Sequence, residues 1–363
     1  MNYKIYVDND ISIAETLPAK FYKNKDIFDD VKEKIFLRCW HWIGDESLIN
    51  KKNSIYPLNI YPEFLNEPIL LSKTENEKIN CLSNVCTHRA NILVHEECNS
   101  KKITCSYHGR RFNNSGKFEF MPEFNKTKNF PRECDDLYKF PLFSWNKLLF
   151  TGFNPEFQIQ EILKKIEKRI SFLPLDKIKA DDSLSKDYHI NANWALYCDN
   201  YLEGFHVPFV HKDLNDVLDY NNYDTELDKF FNLQIGYAKN ENECFDIPKY
   251  HKDYGKNIAA YYYWVFPNLM LNFYPWGISI NLVCPQSVSK TKVLFRSYVF
   301  NKSKLNIGAS GDLDKVEMED EEIVESVQKG INSSFYNKGR FSPTKEKGVH
   351  HFHSLISKFL NNK

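Results

Sequence analysis

The sequence predicts an α+β chain with two domains, a small all-β domain followed by a larger domain that mixes helices with long strands. Two observations lead to this prediction. Between Trp40 and Phe153, short runs of strand-forming residues alternate with turn residues, which is typical of a small β domain. After Glu156, amphipathic helical patterns alternate with long apolar runs. A chain of 363 residues with 42% hydrophobic content is long enough and apolar enough to bury the cores of two domains.

The first element is a helical segment, residues 1–39, which we expect to pack on the larger domain. An apolar stripe at i, i+3, i+7 and i+8 indicates a helix here, formed by Phe28, Val31, Ile35 and Phe36. Asp26 is a suitable N-cap residue for this helix, since its carboxylate can accept the backbone N–H groups of the first turn.

The β domain is assigned to residues 40–155 and the larger domain to residues 156–363. The larger domain begins with a charged amphipathic helix within residues 156–173. The elements predicted after it are a strand at 185–190, long antiparallel strands within 261–286 and 291–301, and helices at 315–335 and 349–362.

Composition excludes several classes of protein. Lys plus Arg and Asp plus Glu both number 48, so nothing predicts binding to nucleic acid or to an anionic membrane surface. The N-terminus has no apolar signal-type core, and the most apolar window, 259–283, is interrupted by Pro and Asn, so no membrane span is expected. Nine scattered cysteines do not suggest a disulfide framework. A cytoplasmic location is therefore expected.

The segment 193–211, NWALYCDNYLEGFHVPFVH, carries a group of metal-ligand residues. Glu203 and His206 at i, i+3 would share one face of a helix, and Pro208 can turn His211 back toward His206. Two imidazoles and one distant carboxylate would form the facial triad of non-haem Fe(II) oxygenases. The alternative is two unrelated histidines in an aromatic core segment.

A second cluster lies upstream, in two Cys–His pairs. Cys86 and His88 form a C-x-H pair, and Cys105 and His108 form a C-x2-H pair. A structural zinc site of Cys2His2 type is the alternative, but zinc sites usually pair like residues. One Cys and one His from each loop fits a [2Fe–2S] cluster with two thiolates on one iron and two imidazoles on the other. We therefore favour the iron–sulfur cluster.

These two motifs carry a family resemblance. CTHRAN…CSYHGRRF resembles the Rieske motif, and NYLEGFHVPFVH resembles the mononuclear iron motif of Rieske non-haem iron oxygenases, large (α) subunits. The resemblance covers essentially the whole chain. It implies an all-β Rieske [2Fe–2S] domain followed by a helix-grip (SRPBCC, Bet v1-like) catalytic domain, in which a curved antiparallel sheet surrounds a long helix.

The resemblance also implies roles for individual residues. Cys86, His88, Cys105 and His108 would hold the cluster, and His206 and His211 would hold the iron. The third iron ligand of the family precedes a helix that ends in a V-Q-x-G-like sequence. Here that sequence is EDEEIVESVQKG, and the position that matches the family's third ligand is Asp320. Glu321 is the second candidate for this ligand. For this acidic run, which also includes Glu319 and Glu322, the alternative interpretation is the usual acidic first turn of a helix.

Glu203 would be an electron bridge in this comparison, linking the iron histidine of one subunit to a Rieske histidine of its neighbour. Asp199 is a less favoured bridge. Members resembling choline or carnitine oxygenases carry Glu at this place, whereas members that hydroxylate aromatic hydrocarbons usually carry Asp. The Glu therefore argues against an arene substrate.

The expected function is a terminal oxygenase that hydroxylates a small organic substrate such as a quaternary ammonium compound, as a mono- or dioxygenase. It would use O2 and electrons from NAD(P)H through a separate reductase or ferredoxin, because no dinucleotide-binding pattern occurs here. The family implies a homotrimer. Aromatic residues within 261–283 are candidates for holding a cation. The alternatives are an aromatic-ring dioxygenase α subunit, a Rieske electron carrier without oxygenase activity and a zinc-stabilised binding module.

Overall fold

The structure is a computed structural model that describes residues 4–305, 307–310 and 313–362. It divides into two compact units. The smaller unit is Leu37–Gln160, and the larger unit comprises the chain up to Phe36 and from Glu161 onward. The smaller unit is built from β-strands, and the larger unit combines a large antiparallel sheet with helices, so the predicted α+β class is confirmed.

The N-terminal segment contains two short helices, α1 (Ala19–Lys23) and α2 (Lys25–Lys34), and belongs to the larger unit. The chain is extended at Asn24, whose side chain accepts the backbone N–H of Ile27 at 3.0 Å. Asn24 is therefore the N-cap of α2, and the prediction of Asp26 at this position was wrong. The predicted apolar stripe is buried: Phe28, Val31, Ile35 and Phe36.

The smaller unit folds into three antiparallel sheets, with strand orders β1-β11-β10, β5-β2-β3-β4-β9 and β6-β7-β8. The strands are β1 (Trp40–Asp45), β2 (Ser54–Ile60), β3 (Glu67–Lys73), β4 (Ile79–Ser83), β5 (Cys98–Asn99), β6 (Lys102–Thr104), β7 (Arg111–Asn113), β8 (Phe118–Phe120), β9 (Lys139–Phe140), β10 (Leu142–Trp145) and β11 (Leu148–Gly152). Two connections carry the Cys–His pairs. The β4–β5 connection holds Cys86 and His88, and the β6–β7 hairpin holds Cys105 and His108.

A buried arginine fixes the end of the β6–β7 hairpin. The Arg110 side chain is 2% exposed, and Nη2 donates to the Asp135 carboxylate at 2.7 Å and to the Asp135 backbone carbonyl at 3.1 Å. Its guanidinium lies 5.0 Å from the ring centroid of Phe118 and 5.4 Å from that of Phe130. Charge pairing and cation–π contacts together compensate for the burial of this cation.

The larger unit is organised around an eight-stranded antiparallel sheet of order β12-β19-β18-β17-β16-β15-β14, with β13 also paired to β19. Its strands are β12 (Lys179–Ala180), β13 (Lys186–Ile190), β14 (Asp224–Leu227), β15 (Phe231–Tyr237), β16 (Ile258–Val265), β17 (Leu269–Tyr274), β18 (Gly277–Ser287) and β19 (Lys290–Val299). Its helices after the N-terminal segment are α3 (Ile159–Arg169), α4 (Trp194–Tyr201), α5 (Val207–Val210), α6 (Lys212–Val217), α7 (Leu313–Ile331) and α8 (Lys347–Asn361).

One row of residues crosses this sheet from strand to strand. Gln234 pairs with Tyr262, Tyr262 with Asn272, and Asn272 with Ser279. Because directly opposed residues point to the same face, these four side chains lie side by side. All are polar or carry a polar tip, although each of these strands has a largely buried sequence. The sheet thus presents a polar row on a buried face.

Within the described residues, no helix combines the length and apolar character needed to cross a bilayer. All nine cysteines are described, and none of them is in a disulfide.

We predict that Arg110→Met lowers the free energy of unfolding of the smaller unit by roughly 3–5 kcal/mol, because it leaves the Asp135 carboxylate without its buried cationic partner. Arg111→Met is the matched control. Its guanidinium is partly exposed and lies 5.4 Å from the Phe120 ring centroid, so its loss is expected to cost less than about 1 kcal/mol. Hydrogen exchange of peptides from residues 37–160 in increasing urea measures both values. Equal losses in the two variants would contradict the anchoring role of Arg110.

Candidate functional site

Three side chains from distant parts of the chain meet in the larger unit: His206, His211 and Asp320. One ligand-type atom from each lies within 4.8 Å of the other two. Nε2 of His211 is 2.9 Å from Oδ1 of Asp320, and Nε2 of His206 is 3.6 Å from the same oxygen. The two imidazole rings are 5.1 Å apart between centroids. Two imidazoles and one carboxylate in this arrangement match the facial triad that holds Fe(II).

The local backbone around His206 differs from the prediction that Glu203 and His206 share one face of a helix. Helix α4 ends at Tyr201, and His206 is the N-cap residue of the short helix α5. Pro208 lies in the first turn of α5, where its missing N–H costs no helical hydrogen bond, so it helps to start a helix rather than to bend one. His211 follows α5 directly. The two imidazoles meet because His206 and His211 flank the single helical turn of α5.

Both histidines are oriented by carboxylates. Oε1 of Glu203 is 2.6 Å from Nδ1 of His206, and Oε2 of Glu319 is 2.8 Å from Nδ1 of His211. With Nδ1 occupied, each ring directs Nε2 toward Asp320, which is the usual orientation of metal-bound histidines. Asn200 donates to Oδ1 of Asp320 at 2.6 Å and fixes this carboxylate as well. The residues present therefore fit a divalent iron.

Glu203 is held by its own backbone as well as by His206. Its Oε2 accepts the backbone N–H groups of Phe205 and of His206, the latter at 3.1 Å. The carboxylate thus closes the turn between α4 and α5 and contacts the imidazole with its other oxygen. Asp199, the less favoured bridge, is engaged elsewhere. It accepts from the Tyr22 hydroxyl and lies beside Nε2 of His353, both at 2.8 Å.

The acidic run around Asp320 lies in the middle of α7, which begins at Leu313. Its interpretation as the acidic first turn of a helix was therefore wrong. Asp320 reaches the histidines, whereas Glu321 lies outside the three-residue group. Sequence reasoning treated Glu319 only as part of the acidic run and missed its hydrogen bond to His211. No local signal could have found this contact, because consecutive residues of a helix do not share a face and only the packing of α7 brings Glu319 to His211.

Negative charge is concentrated at this site. Burial opposes a charge on His211, but Asp320 and Glu319 together raise the pKa of its imidazole. Burial, reinforced by Asp320, raises the pKa of Glu317 well above the usual range of a carboxyl group. Glu317 lies one helical turn before Asp320 on α7 and is 3% exposed. Sequence reasoning missed this residue.

A cavity of about 110 Å³ opens beside the three residues. Five tyrosines contribute to its wall: Tyr197, Tyr201, Tyr223, Tyr262 and Tyr274. The polar row of the sheet, Gln234, Asn272 and Ser279 with Tyr262, forms another part of the wall. Glu203, Glu317 and Asp320 add carboxylates, and the lining that the structure describes contains neither Lys nor Arg. The cavity is therefore small, aromatic and acidic.

The two Cys–His loops of the smaller unit close in the same way. In each loop a backbone N–H donates to the carbonyl of the cysteine four residues earlier: Ala90 to Cys86 and Gly109 to Cys105, both at 3.0 Å. The backbone N–H of each cysteine donates in turn to the carbonyl of the residue five positions later, Asn91 for Cys86 and Arg110 for Cys105. Ala90 and Gly109 both have positive φ, 54° and 73°. Equal closure gives the two loops matching shapes.

The loops bring the four predicted cluster ligands together, with the sulfurs inside and the imidazoles outside. Cys86 and Cys105 are buried, His88 is half-buried and His108 is exposed, and the two imidazole centroids are 4.7 Å apart. Backbone N–H groups bond both sulfurs. Such donors stabilise thiolates, so the loops fit a [2Fe–2S] cluster with its histidine-bound iron at the surface.

Family models match both units. The model described as "Ring hydroxylating alpha subunit (catalytic domain)" matches residues 179–362, and the model described as "Rieske [2Fe-2S] domain" matches residues 40–131.

Curated relatives align over nearly the whole chain. Choline monooxygenase, chloroplastic, from Arabidopsis thaliana is 29% identical and covers 94% of this chain and 82% of its own length. The carnitine monooxygenase oxygenase subunit of Escherichia coli (strain K12) is 26% identical, and the alignment covers 95% of this chain and 93% of the relative.

Solved structures share the fold. A quaternary ammonium Rieske monooxygenase in complex with L-carnitine superposes with a TM-score of 0.78 at 20% identity, covering 99% of both chains. Naphthalene 1,2-dioxygenase from Rhodococcus sp. gives a TM-score of 0.73 at 17% identity, covering 95% of this chain and 93% of its own. Together with the family match and the geometry of the three-residue group, these likenesses identify the chain as a member of the Rieske non-haem iron oxygenase alpha-subunit family, with a Rieske [2Fe–2S] domain and a non-haem iron site at His206, His211 and Asp320.

Proposed function

We propose that this oxygenase hydroxylates a C–H bond next to the nitrogen of a small quaternary ammonium compound. The observation that carries the proposal is the cavity beside the iron ligands, which combines five tyrosine rings with carboxylates and has no Lys or Arg among the described residues that line it. Aromatic faces and carboxylates attract a cation that cannot donate hydrogen bonds. An apolar arene would bring no positive charge to the carboxylates of this wall.

The reaction would consume one O2, two electrons and two protons for each C–H bond converted to C–OH, with one water released. Iron, when bound, activates O2 for this step. The tyrosine rings would hold the substrate's cation. A hydroxylated carbon that bears a quaternary nitrogen can then release a tertiary amine and leave an aldehyde.

The comparisons support this substrate class over an arene. Choline and carnitine monooxygenases are among the curated relatives, at 26–29% identity in the two examples above. Glu203, in place of the Asp usual in arene-hydroxylating members, agrees with them. A Rieske electron carrier without oxygenase activity would have no use for the iron site and its cavity.

Electrons would come from NAD(P)H through a separate reductase or ferredoxin. The relative from Escherichia coli is described as an oxygenase subunit, which supports a separate electron-donating component here as well. Cytoplasmic location remains part of the proposal. None of the nine cysteines is in a disulfide, which supports it, because disulfides are rare in a reducing compartment.

We further propose that Cys86, His88, Cys105 and His108 hold the cluster and that Glu203 bridges subunits in a homotrimer. Glu203 touches His206, and a neighbour's exposed His108 is the natural second partner for its carboxylate. A solved quaternary ammonium Rieske monooxygenase is described together with inter-subunit electron transfer, which supports this route. Phe205 and Phe209, 41% and 75% exposed beside His206, offer apolar surface for a neighbouring subunit.

The substrate class can be tested by O2 uptake with NADH and a surrogate reductase. At least one of choline, carnitine and the betaines is expected to stimulate uptake roughly tenfold or more over the substrate-free rate, with aldehyde formed in proportion. Small aromatic acids serve as the competing class, and hydrogen peroxide is measured to exclude uncoupled uptake. Stimulation and hydroxylated product from aromatic acids alone would overturn the proposal.

Mutation of the ligands of one metal centre should remove that metal and leave the other centre intact. His206→Ala, His211→Ala and Asp320→Ala are each expected to retain roughly a tenth or less of the mononuclear iron and to keep the cluster spectrum. Cys86→Ser and His108→Ala should do the reverse, because they remove cluster ligands only. Glu321→Ala is the matched control for Asp320→Ala. Iron analysis with visible spectra measures both sites, and full iron occupancy in Asp320→Ala would move the third ligand to Glu321.

Glu203→Gln is expected to keep both metals and normal cluster reduction, while product formation falls roughly 10–100-fold because the bridging charge is lost. Asp213→Asn is the control, since Asp213 is exposed and pairs only with Lys315 among the described ion pairs. Co-expression of Cys86→Ser with His206→Ala adds a direct test. Mixed oligomers should regain partial activity, because one subunit supplies the cluster and the other the iron. A monomeric protein, or inactive mixed oligomers, would exclude the bridge.

A further inference from the structure

Glu317 lies in the wall of the cavity and has one buried carboxyl oxygen without a hydrogen-bond partner. Its Oε2 accepts the Tyr197 hydroxyl at 2.7 Å, whereas its Oε1 is buried and has no hydrogen-bond partner. The residue is 3% exposed and belongs to the cavity wall. A buried carboxyl oxygen left unpaired is costly, so its presence needs an explanation.

The surroundings of Glu317 supply no compensating cation. The charged groups that act on it are Asp320, Glu321 and Asp314, all carboxylates. Glu203, Glu319 and Asp320 each contact an iron-binding histidine, whereas Glu317 contacts neither of them. Burial without a cation nearby disfavours the charged form of Glu317. A cation in the cavity would stabilise that charged form.

We propose that Glu317 is the counter-ion of the substrate's ammonium group, and that the cavity selects a monocation whose remaining polar groups are neutral. This inference rests on the proposed function and narrows its substrate class. Glu317 lies one turn before Asp320 on α7, which is about 5 Å along the helix axis. An ammonium group held at Glu317 would thus place a neighbouring carbon on the side of the iron ligands.

The rest of the cavity fits a neutral tail. Gln234 bonds Tyr201 and Tyr223 within the protein, and the Asn272 oxygen accepts the Tyr201 hydroxyl. The side-chain N–H groups of Asn272 can still donate to a hydroxyl or carbonyl group of the substrate. A substrate carboxylate would find no Lys or Arg in the described lining and would meet the field of the resident carboxylates. Zwitterions such as betaines should therefore bind worse than the corresponding alcohols.

Three probes of similar shape test the proposal: choline, its uncharged carbon isostere 3,3-dimethylbutan-1-ol, and glycine betaine. Binding is measured by calorimetry on iron-loaded, anaerobic protein without reductase. Wild-type protein should bind choline roughly tenfold or more tightly than either of the other two. In Glu317→Gln, choline affinity should fall by a similar factor and its advantage over the isostere should disappear. Glu317→Asp, which keeps the charge, should recover part of the affinity.

Glu321→Gln is the matched control, because Glu321 lies on the same helix but outside the cavity wall. It should leave all three affinities unchanged. Equal loss of choline and isostere binding in Glu317→Gln would mark Glu317 as structural and overturn the inference, and so would betaine binding as tight as choline in the wild type. The wild-type comparison holds even if a variant misfolds. If choline supports O2 uptake but the binding results differ from those expected, the role of Glu317 is wrong and the proposed function stands. If no quaternary ammonium compound binds or supports uptake, the proposed function is wrong as well.

Discussion

The packing of α4 on α7 is the constraint on which the iron site depends. Three hydrogen bonds lock the two helices: the N–H of Asn193 to Gln328 at 2.8 Å, Asn200 to Asp320 at 2.6 Å, and Tyr197 to Glu317 at 2.7 Å. The histidines follow α4 and the carboxylate lies on α7, so any rotation of one helix would separate the ligands. Gln328 belongs to the V-Q-K-G sequence that located the third ligand. Its side-chain oxygen accepts the backbone N–H of Asn193 at the N-terminus of α4 and so helps to hold α4 against α7.

In the smaller unit, the two loops bury the sulfurs of Cys86 and Cys105 and leave the imidazoles of His88 and His108 nearer the surface. Cys86 and Cys105 each begin a loop that closes with bonds four and five residues on. This closure directs backbone N–H groups at the sulfurs and turns the following histidine outward. A left-handed residue is needed to complete it. Gly109 adopts this conformation at no cost, whereas Ala90 does so with strain of the order of 1 kcal/mol. Electron donors and acceptors can then approach the imidazole side.

Local patterns in the sequence were sufficient to predict the two motifs, the strand-rich and mixed domains and the apolar stripe of α2. They failed where the outcome depends on where a helix ends or which way it faces. The end of α4 at Tyr201 was missed because the i, i+3 spacing of Glu203 and His206 fits a helix face as well as the turn that Glu203 closes. Likewise, Glu317, Glu319 and Asp320 are adjacent carboxylates on one helix, and only the rotation of α7 against α4 gives each a different partner. Tertiary packing decides these roles, so spacing alone could not.

The acidity of the cavity links binding to chemistry. Carboxylates at Glu203, Glu319 and Asp320 orient the histidines and attract a divalent metal, so they serve the iron site directly. Glu317 does not, and its buried carboxyl oxygen without a partner destabilises the fold. An ammonium group in the cavity would stabilise the charged form of Glu317 and would occupy the space beside the tyrosine rings. Specificity in such a site depends on the charge of the substrate as well as on its shape.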